Sequence, residues 1–480
     1  GWVKQAMQRW PSARVTVWDA DPFLLRRALS THDFAESLTN GMLSFGLSSD
    51  LFAIRQRHFD RIVPHPALAR FYSREWDFLC GETGRPVAVI CSGGLFVDDL
   101  AEALKERGFA CFTLEVTRHS PEELGRTLRT LRPHMVFGIN HTNGLWELCR
   151  SHGIALMCWE IDPAIDQPHR VEGPTENAHL FTFRAANVPA FRAAGFSNCH
   201  HLPLASRPKK RHPVDLTAAE RAQYGKDVCF VGSSVTELVG RYRGVLQSDI
   251  GAFLEARGEQ PDRASAVIDA ILMEQRQNFF QYSIPRLAER YLPGLPAFVR
   301  QLGRAHDPHV LLGELAAAEK RLTILANLAR AGARAQPKFE VCVWGDAGWR
   351  NIEKHGVRMM GLAGHHRELT RIYTAGRVHL DIGRIYQSDI VTMRVFDVLA
   401  CGGALLTEHT DAVADLFEVG GELDTYRDVA ELERKVSHYL ANPDAARALG
   451  HRGMLRVRRD HTIAGRLGQM MTMAGLPNVD

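Results

Sequence analysis

No stretch of the chain approaches the roughly 20 consecutive apolar residues that a membrane-spanning helix needs, which excludes a span as a reading of its 480 residues. Cysteine is sparse and scattered, an odd nine, with no C-x-x-C pair and no local Cys/His cluster at zinc spacing. A disulfide framework and a local zinc site are therefore excluded, and a reducing compartment suits the thiols. Charge of one sign is also lacking. The 58 Lys+Arg against 55 Asp+Glu leave a net +3, too small to argue for nucleic acid. No secretory leader is visible at the start, so the cytoplasm is the expected compartment.

What is present describes an ordinary globular chain, 45% hydrophobic and 24% charged, long enough for two or three domains. Short β-rich runs alternate with helical periodicity, the pattern of βαβ units and parallel sheets. Val87-Ala-Val-Ile-Cys91, Met135-Val-Phe-Gly-Ile139 and Ile154-Ala-Leu-Met-Cys158 read as strands of one sheet. Val228-Cys-Phe-Val231, Phe339 to Trp344, Val378 to Ile382 and Ala404 to Thr407 read as strands of a second. The expected organisation is an accessory α/β segment over residues 1–80, a first half over 81–205 and a linker over 206–226. A second half over 227–460, with a helical insertion near 245–335, and a C-terminal helix over 461–480 complete it. The linker opens with Ser206-Arg-Pro-Lys-Lys-Arg-His-Pro213, which reads as solvated. In the first segment, Asp19 and Asp21 end a strand as a ribose-holding acid would. No glycine fingerprint precedes that strand in these residues, so the segment is either part of a Rossmann unit or a cofactor-free accessory domain, and the second is expected.

Residues 389 to 403 carry the most chemistry: Asp389, Thr392, Arg394, Asp397 and the pair Gly402-Gly403 fall on one strand-to-helix turn. Thr392 is a good N-cap, Met393 to Cys401 read as a short helix, and Gly402 is placed to end it. A diphosphate suits that helix start, where free N–H groups and the dipole favour negative charge and Arg394 adds charge-assisted bonds. The plainer alternative is an ordinary βα unit in which Asp389 is a loop acid and Arg394 pairs with Asp397.

The eight-residue separation of Asp389 and Asp397 resembles the E-x7-E element of retaining, family-4 glycosyltransferases of GT-B fold. In that family the first acid contacts the donor sugar and the second holds the ribose, roles the resemblance implies for Asp389 and Asp397. Both are aspartate here, each one methylene short. The stretch Met393-Arg394-Val395-Phe396-Asp397 through Thr407-Glu408 further resembles the signature of CgeB-like glycosyltransferases, named after a spore-maturation protein. Trp159-Glu160-Ile161-Asp162-Pro163, His201-Leu202-Pro203-Leu204-Ala205, Asp227 to Ser233 and the Tyr426 to Leu440 stretch are similar to that family's other motifs, in its order. The implied fold is GT-B: two Rossmann-like, doubly wound domains facing a cleft, with the extra N-terminal segment and helical insertion. The implied reaction moves a sugar from a nucleotide-diphosphate donor to an acceptor hydroxyl, without metal or separate cofactor.

Further donor contacts are expected from Gly232 and Ser233 after the first strand of the second half, from Arg241 (or Arg243) on the next helix, from Arg384 and from Gly361 near the base. Tyr386 either stacks or packs. In the first half, His141 follows a strand end, and Asp162, carried by a family motif, is the better candidate for the acceptor or sugar. Asp19-Ala20-Asp21 spells a metal-binding D-x-D, but a turn acid capping the helix from Pro22 explains it, and no metal is expected. A nucleotide-sugar epimerase and a non-catalytic nucleotide-sugar-binding protein remain as rivals. The base, sugar and acceptor are not legible.

Overall fold

Short runs, most of them rich in β-branched, aromatic or other apolar residues, form fourteen strands among the described residues, and every pairing between them is parallel. The computed structural model describes residues 2–476 apart from 48–49, 67, 69–71, 82–84, 92–94, 117–118, 163–167 and 366; Pro163 thus lies outside the described residues. Strands β1 (Val15–Asp19) and β2 (Leu43–Leu47) make a two-stranded sheet of their own. There the D-x-D spelling is a turn: Asp19 accepts from the Asp21 backbone at 2.9 Å and from the Tyr72 hydroxyl at 2.8 Å, while Asp21 caps the helix Pro22–Thr31.

The first half is a six-stranded sheet of β3 (Val87–Cys91), β4 (Ala110–Leu114), β5 (Met135–Ile139), β6 (Ala155–Glu160), β7 (Ala178–Thr182) and β8 (Asn198–His201), in spatial order β4-β3-β5-β6-β7-β8. The second holds β9 (Val228–Val231), β10 (Val341–Trp344), β11 (Val357–Gly361), β12 (Val378–Leu380), β13 (Leu405–Glu408) and β14 (Asp424–Tyr426), in order β11-β10-β9-β12-β13-β14. Both are doubly wound and Rossmann-like, as the sequence pattern requires. In such sheets ligands bind outside the carboxyl ends of the strands where the order reverses. In the second half that switch point lies between β9 and β12.

Between β9 and β10 runs a helical insertion: α1 (Thr236–Ala256), α2 (Ala264–Gln275), α3 (Ile284–Tyr291), α4 (Leu295–Gln301) and α5 (Pro308–Arg334). The first four and the start of α5 share their own core, including Leu246, Ile250, Ile268, Leu287 and Leu315. The end of α5, through Ile324, Leu325 and Leu328, packs on the sheet against Val341 and Leu380. So α5 is at once part of the insertion and the crossover helix of a βαβ unit. Helix α6 (Met393–Ala400) follows the switch point, and α7 (Pro443–Asp460) leads to α8 (Ile463–Met473), which returns to the first half. There Arg107 donates to the Ala464 carbonyl and Arg466 to that of Pro203, each at 2.9 Å. One apolar core runs through both halves, joining Leu100 and Trp159 to Trp344, Phe396 and Met470.

The cationic linker differs from expectation. It is only partly solvated: Lys209 is exposed, but Ser206 is fully buried, and Arg207 and Lys210 both pair with Asp99 of the helix Val97–Glu106, at 2.8 and 2.6 Å. The acids of that helix neutralise the run and tie it down. None of the described helices is long and apolar enough to cross a membrane.

Candidate functional site

The switch point is organised by a residue that the sequence reading did not single out. Asp381, just past β12 and almost wholly buried, accepts from the Thr392 hydroxyl at 2.8 Å and the Thr407 hydroxyl at 2.9 Å, and pairs with Arg394 Nη1. Thr392 does stand at the N-cap of α6, yet its hydroxyl turns to Asp381 and makes no cap bond. The first turn of α6 therefore keeps its N–H groups uncapped by that side chain, the condition for receiving an anion. Arg394 is paired with Asp381, not Asp397; its Nε donates to the Val231 carbonyl at 2.6 Å, and its guanidinium lies 4.6 Å from the Phe230 ring centre. It is an internal strut as much as a ligand group.

Gly232 is corrected in the same way. Its N–H is spent on the Trp344 carbonyl and its carbonyl on the Trp349 indole, so neither is offered to phosphate. What requires glycine is Arg394: a Cβ here would stand 2.5 Å from Nη2. The Ser233 hydroxyl is likewise engaged, donating to Asp346 Oδ2 at 2.5 Å. Burial alone would raise the Asp346 carboxyl, but hydrogen bonds from Ser233 and Ser234 outweigh it and hold the group below its ordinary range.

Behind this row lies a second one, supplied by the insertion. Arg321 of α5 donates to the Ser233 carbonyl at 3.1 Å, while its buried Nε has no partner. Burial, with Arg384 and Arg394 nearby, lowers its pKa to about 10, so it stays charged at neutral pH. Arg384 lies 2.8 Å from Glu314 Oε1, misaligned for Nε to donate to it, and the Tyr386 hydroxyl donates to the same oxygen. Tyr386 packs. Lys320 pairs with Glu408, whose carboxyl burial pushes up and which also accepts from the Gly383 backbone at 3.1 Å. Four cations, Lys320, Arg321, Arg384 and Arg394, thus face three acids, Glu314, Asp381 and Glu408. A pocket of about 320 Å³ opens beside them, lined by Lys320, Asp381, Arg384, Gln387 and Thr392 with Phe279 and Phe280 of the insertion. The amide nitrogen of buried Gln387 has no protein partner.

Other expected contacts lie apart. Arg241 is exposed on α1, and Arg243 pairs with Asp269; the second guanidinium beside Arg394 is Arg321. Gly361 ends edge strand β11 at φ +90°, where a side chain would be strained. Asp397 is buried with both oxygens taken, Oδ1 by the Ser206 hydroxyl and Oδ2 by Arg211 Nε at 3.1 Å. Burial raises its pKa against the opposing effect of Arg211. Ribose hydroxyls reach this carboxylate only by displacing linker residues.

In the first half Asn140, left-handed at φ +61°, clips Asp162: its amide donates to Asp162 Oδ2 at 2.9 Å and its oxygen accepts from the Ile161 and Asp162 backbone. Asp162 remains exposed. His141 sits edge-on between Phe191 and Phe196, and burial lowers its pKa, making it neutral at pH 7. Asn143 Oδ1 already accepts from the His169 backbone, so His141 Nε2 is the donor to it and Nδ1 the basic nitrogen. Asp389 faces this half, accepting from Arg184 Nη2 at 3.3 Å and from the Ala186 backbone at 3.1 Å.

Asp381, Glu314, Arg321 and Arg184 were missed because their partners lie 13, 70, 88 and 205 positions away, beyond any local pattern. Asp346 alone left a local trace, as the N-cap of the turn through Gly348.

Among solved structures, a glycosyltransferase from Rickettsia africae aligns at 6% identity over 82% of this chain and 98% of its own, with a TM-score of 0.45. Sucrose-phosphate synthase from Thermosynechococcus elongatus aligns at 15% over 81% and 98%, with a TM-score of 0.44. HepE from Anabaena, in complex with UDP, aligns at 9% over 82% and 100%, also at 0.44. These likenesses assign neither donor nor acceptor. No curated protein matches the chain. Residues 321–472, from Arg321 in α5 to α8, match the family model described as Glycosyl transferase-like, so this part of the chain carries a glycosyl-transferase-like domain.

Proposed function

We propose that the chain is a glycosyltransferase that moves a sugar from a nucleotide-diphosphate donor to an acceptor hydroxyl. The observation that carries this reading is the uncapped start of α6 beside four cations and three acids, at the switch point of a domain matching a glycosyl-transferase-like model. An extra positive charge and a helix terminus in a partly water-excluded site stabilise a diphosphate as it leaves, worth far more there than in water. No divalent metal is needed for that, because Lys320, Arg384 and Arg394 are balanced by Glu408, Glu314 and Asp381 and Arg321 is left as the extra positive charge. The sugar would enter the pocket toward Gln387 and the Phe279-Phe280 wall. The nucleoside would lie past the start of α6 toward Gly361, and would meet Asp397 only where Ser206 and Arg211 gave way. Asp162 and the His141 Nδ1 are the groups offered to the acceptor from the first half. The sequence motifs favour a CgeB-like member with retention of anomeric configuration, and the scattered cysteines suit a reducing, cytoplasmic setting.

A thermal-shift screen of nucleoside diphosphates and their common sugars tests the reading. A ligand at 100 times its Kd stabilises by about 2.7 kcal/mol. A selected nucleotide sugar should then be consumed with an acceptor panel. If no nucleoside diphosphate shifts the transition, the reading falls; donor binding with release of a free epimerised nucleotide sugar would replace transfer by epimerisation.

A further inference from the structure

We propose that Arg184 is a positioning residue: with Asp389 it forms a clasp that holds the first half against the loop over the pocket. Arg184 follows β7 of the first half, and the loop Gly383 to Thr392 belongs to the second. Its guanidinium makes three contacts on that loop, to Asp389 Oδ1 through Nε at 3.4 Å and Nη2 at 3.3 Å, and to the Tyr386 carbonyl at 3.1 Å. It also lies 5.5 Å from the Tyr386 ring centre. The Ala186 backbone donates to the other Asp389 oxygen, so both oxygens of the carboxylate are held by the first half. Both side chains are largely shielded, at 13% and 25% exposure, where an ion pair is screened less than on an open surface. From Tyr386 the connection continues to Glu314 of the insertion. The loop is thereby pinned from two sides, by the first half and by α5, with the pocket beneath it.

Asp389 acts in this arrangement through Arg184 and not on the sugar. Loss of the clasp leaves the donor-binding half intact but frees the halves to part at this edge, while the shared apolar core and α8 still join them elsewhere. The consequence for transfer against hydrolysis rests on the glycosyl-transfer reading; the clasp itself does not, and its test needs no donor. Spin labels on cysteines placed at exposed Arg129 and Arg434, with the exposed Cys80 changed to serine, report the distance between halves in the full chain. Arg184→Ala, Arg184→Lys and Asp389→Ala should each lengthen and broaden that distribution, lysine included because it loses the fork. The double variant Arg184→Ala/Asp389→Ala should broaden it by less than the sum of the two singles, since they share the Arg184–Asp389 pair while each also loses a contact of its own, to Tyr386 or to Ala186. Single variants that fold and keep the parent distribution would overturn the proposal, as would a double variant whose broadening is the sum of the two.

Discussion

Replacing Arg394 with alanine should cost stability before it costs binding, and by a large amount. Asp381 keeps only the Thr392 and Thr407 hydroxyls once the guanidinium is gone, and its side chain is 4% exposed. Removing one partner of a buried ion pair typically costs about 3–5 kcal/mol, because the other charge is left uncompensated. The two hydroxyls mitigate this, while the lost bond to the Val231 carbonyl and the contact with Phe230 add to it. About 3 kcal/mol is the resulting expectation. A domain of 150–250 residues loses roughly 2–4 °C per kcal/mol, so the second half should melt about 6–12 °C lower. Adding Asp381→Asn to Arg394→Ala should recover part of that loss, because it removes the orphaned charge. Calorimetric melting of the parent, Arg394→Ala and the double variant decides the matter. A single variant melting with the parent, or a double variant less stable than the single, would refute Arg394 as a strut.

Arg321→Met should behave oppositely: melting should hold or rise, since a desolvated cation beside Arg384 and Arg394 is removed, while affinity for the screened nucleoside diphosphate falls. A charged hydrogen bond is worth about 1.5–3 kcal/mol, or roughly 10- to 100-fold in Kd by titration calorimetry. Chelation with EDTA should leave that affinity unchanged; loss restored by manganese would return attention to Asp19 and Asp21. Acid should loosen the return of α8. His461 is buried, accepts at Nδ1 from Arg466 at 2.9 Å, and has its pKa pushed down to about 4 by burial first and Arg466 second. Its folded value lies below the unfolded 6.5, so the fold takes up the proton later. The contribution, about 3 kcal/mol, is complete above roughly pH 6.5 and lost as pH falls toward 4. Denaturation midpoints against pH should show that slope and His461→Gln should flatten it; an unchanged slope would exclude His461.

Strands with unbroken apolar runs, such as Val87–Cys91 and Met135–Ile139, are legible because burial on both faces excludes polar side chains throughout. β14 is not. Its Asp424 reads as a turn residue and is buried only because Lys435 at 2.8 Å and the Tyr439 hydroxyl at 2.9 Å meet it. The site shows the same division. The start of α6 at Met393 could be read from Thr392, whose backbone is in the capping conformation, but the direction of its hydroxyl could not. That direction depends on Asp381, which sits across the turn on another strand end. The spacing of Asp389 and Asp397 was visible, whereas their partners Arg184, Ser206 and Arg211 come from more than 180 residues upstream. Local pattern gives which groups exist. Only the fold decides which of them are already spoken for.

The eight-residue separation then has a mechanical reading. Asp389 precedes α6 and faces the first half, held by Arg184 and the Ala186 backbone. Asp397 lies one turn into α6 and faces the linker, held by Ser206 and Arg211. Arg211 in turn donates to the His365 carbonyl at 2.7 Å, next to the loop that follows Gly361. The uncapped helix start lies between these two attachments, so α6 cannot shift along its axis without disturbing either the clasp or the linker. A parting of the halves would therefore reach the first turn of α6 through the chain that connects them. A diphosphate seated on that turn would in return bias the halves toward contact, because coupling between two sites is reciprocal.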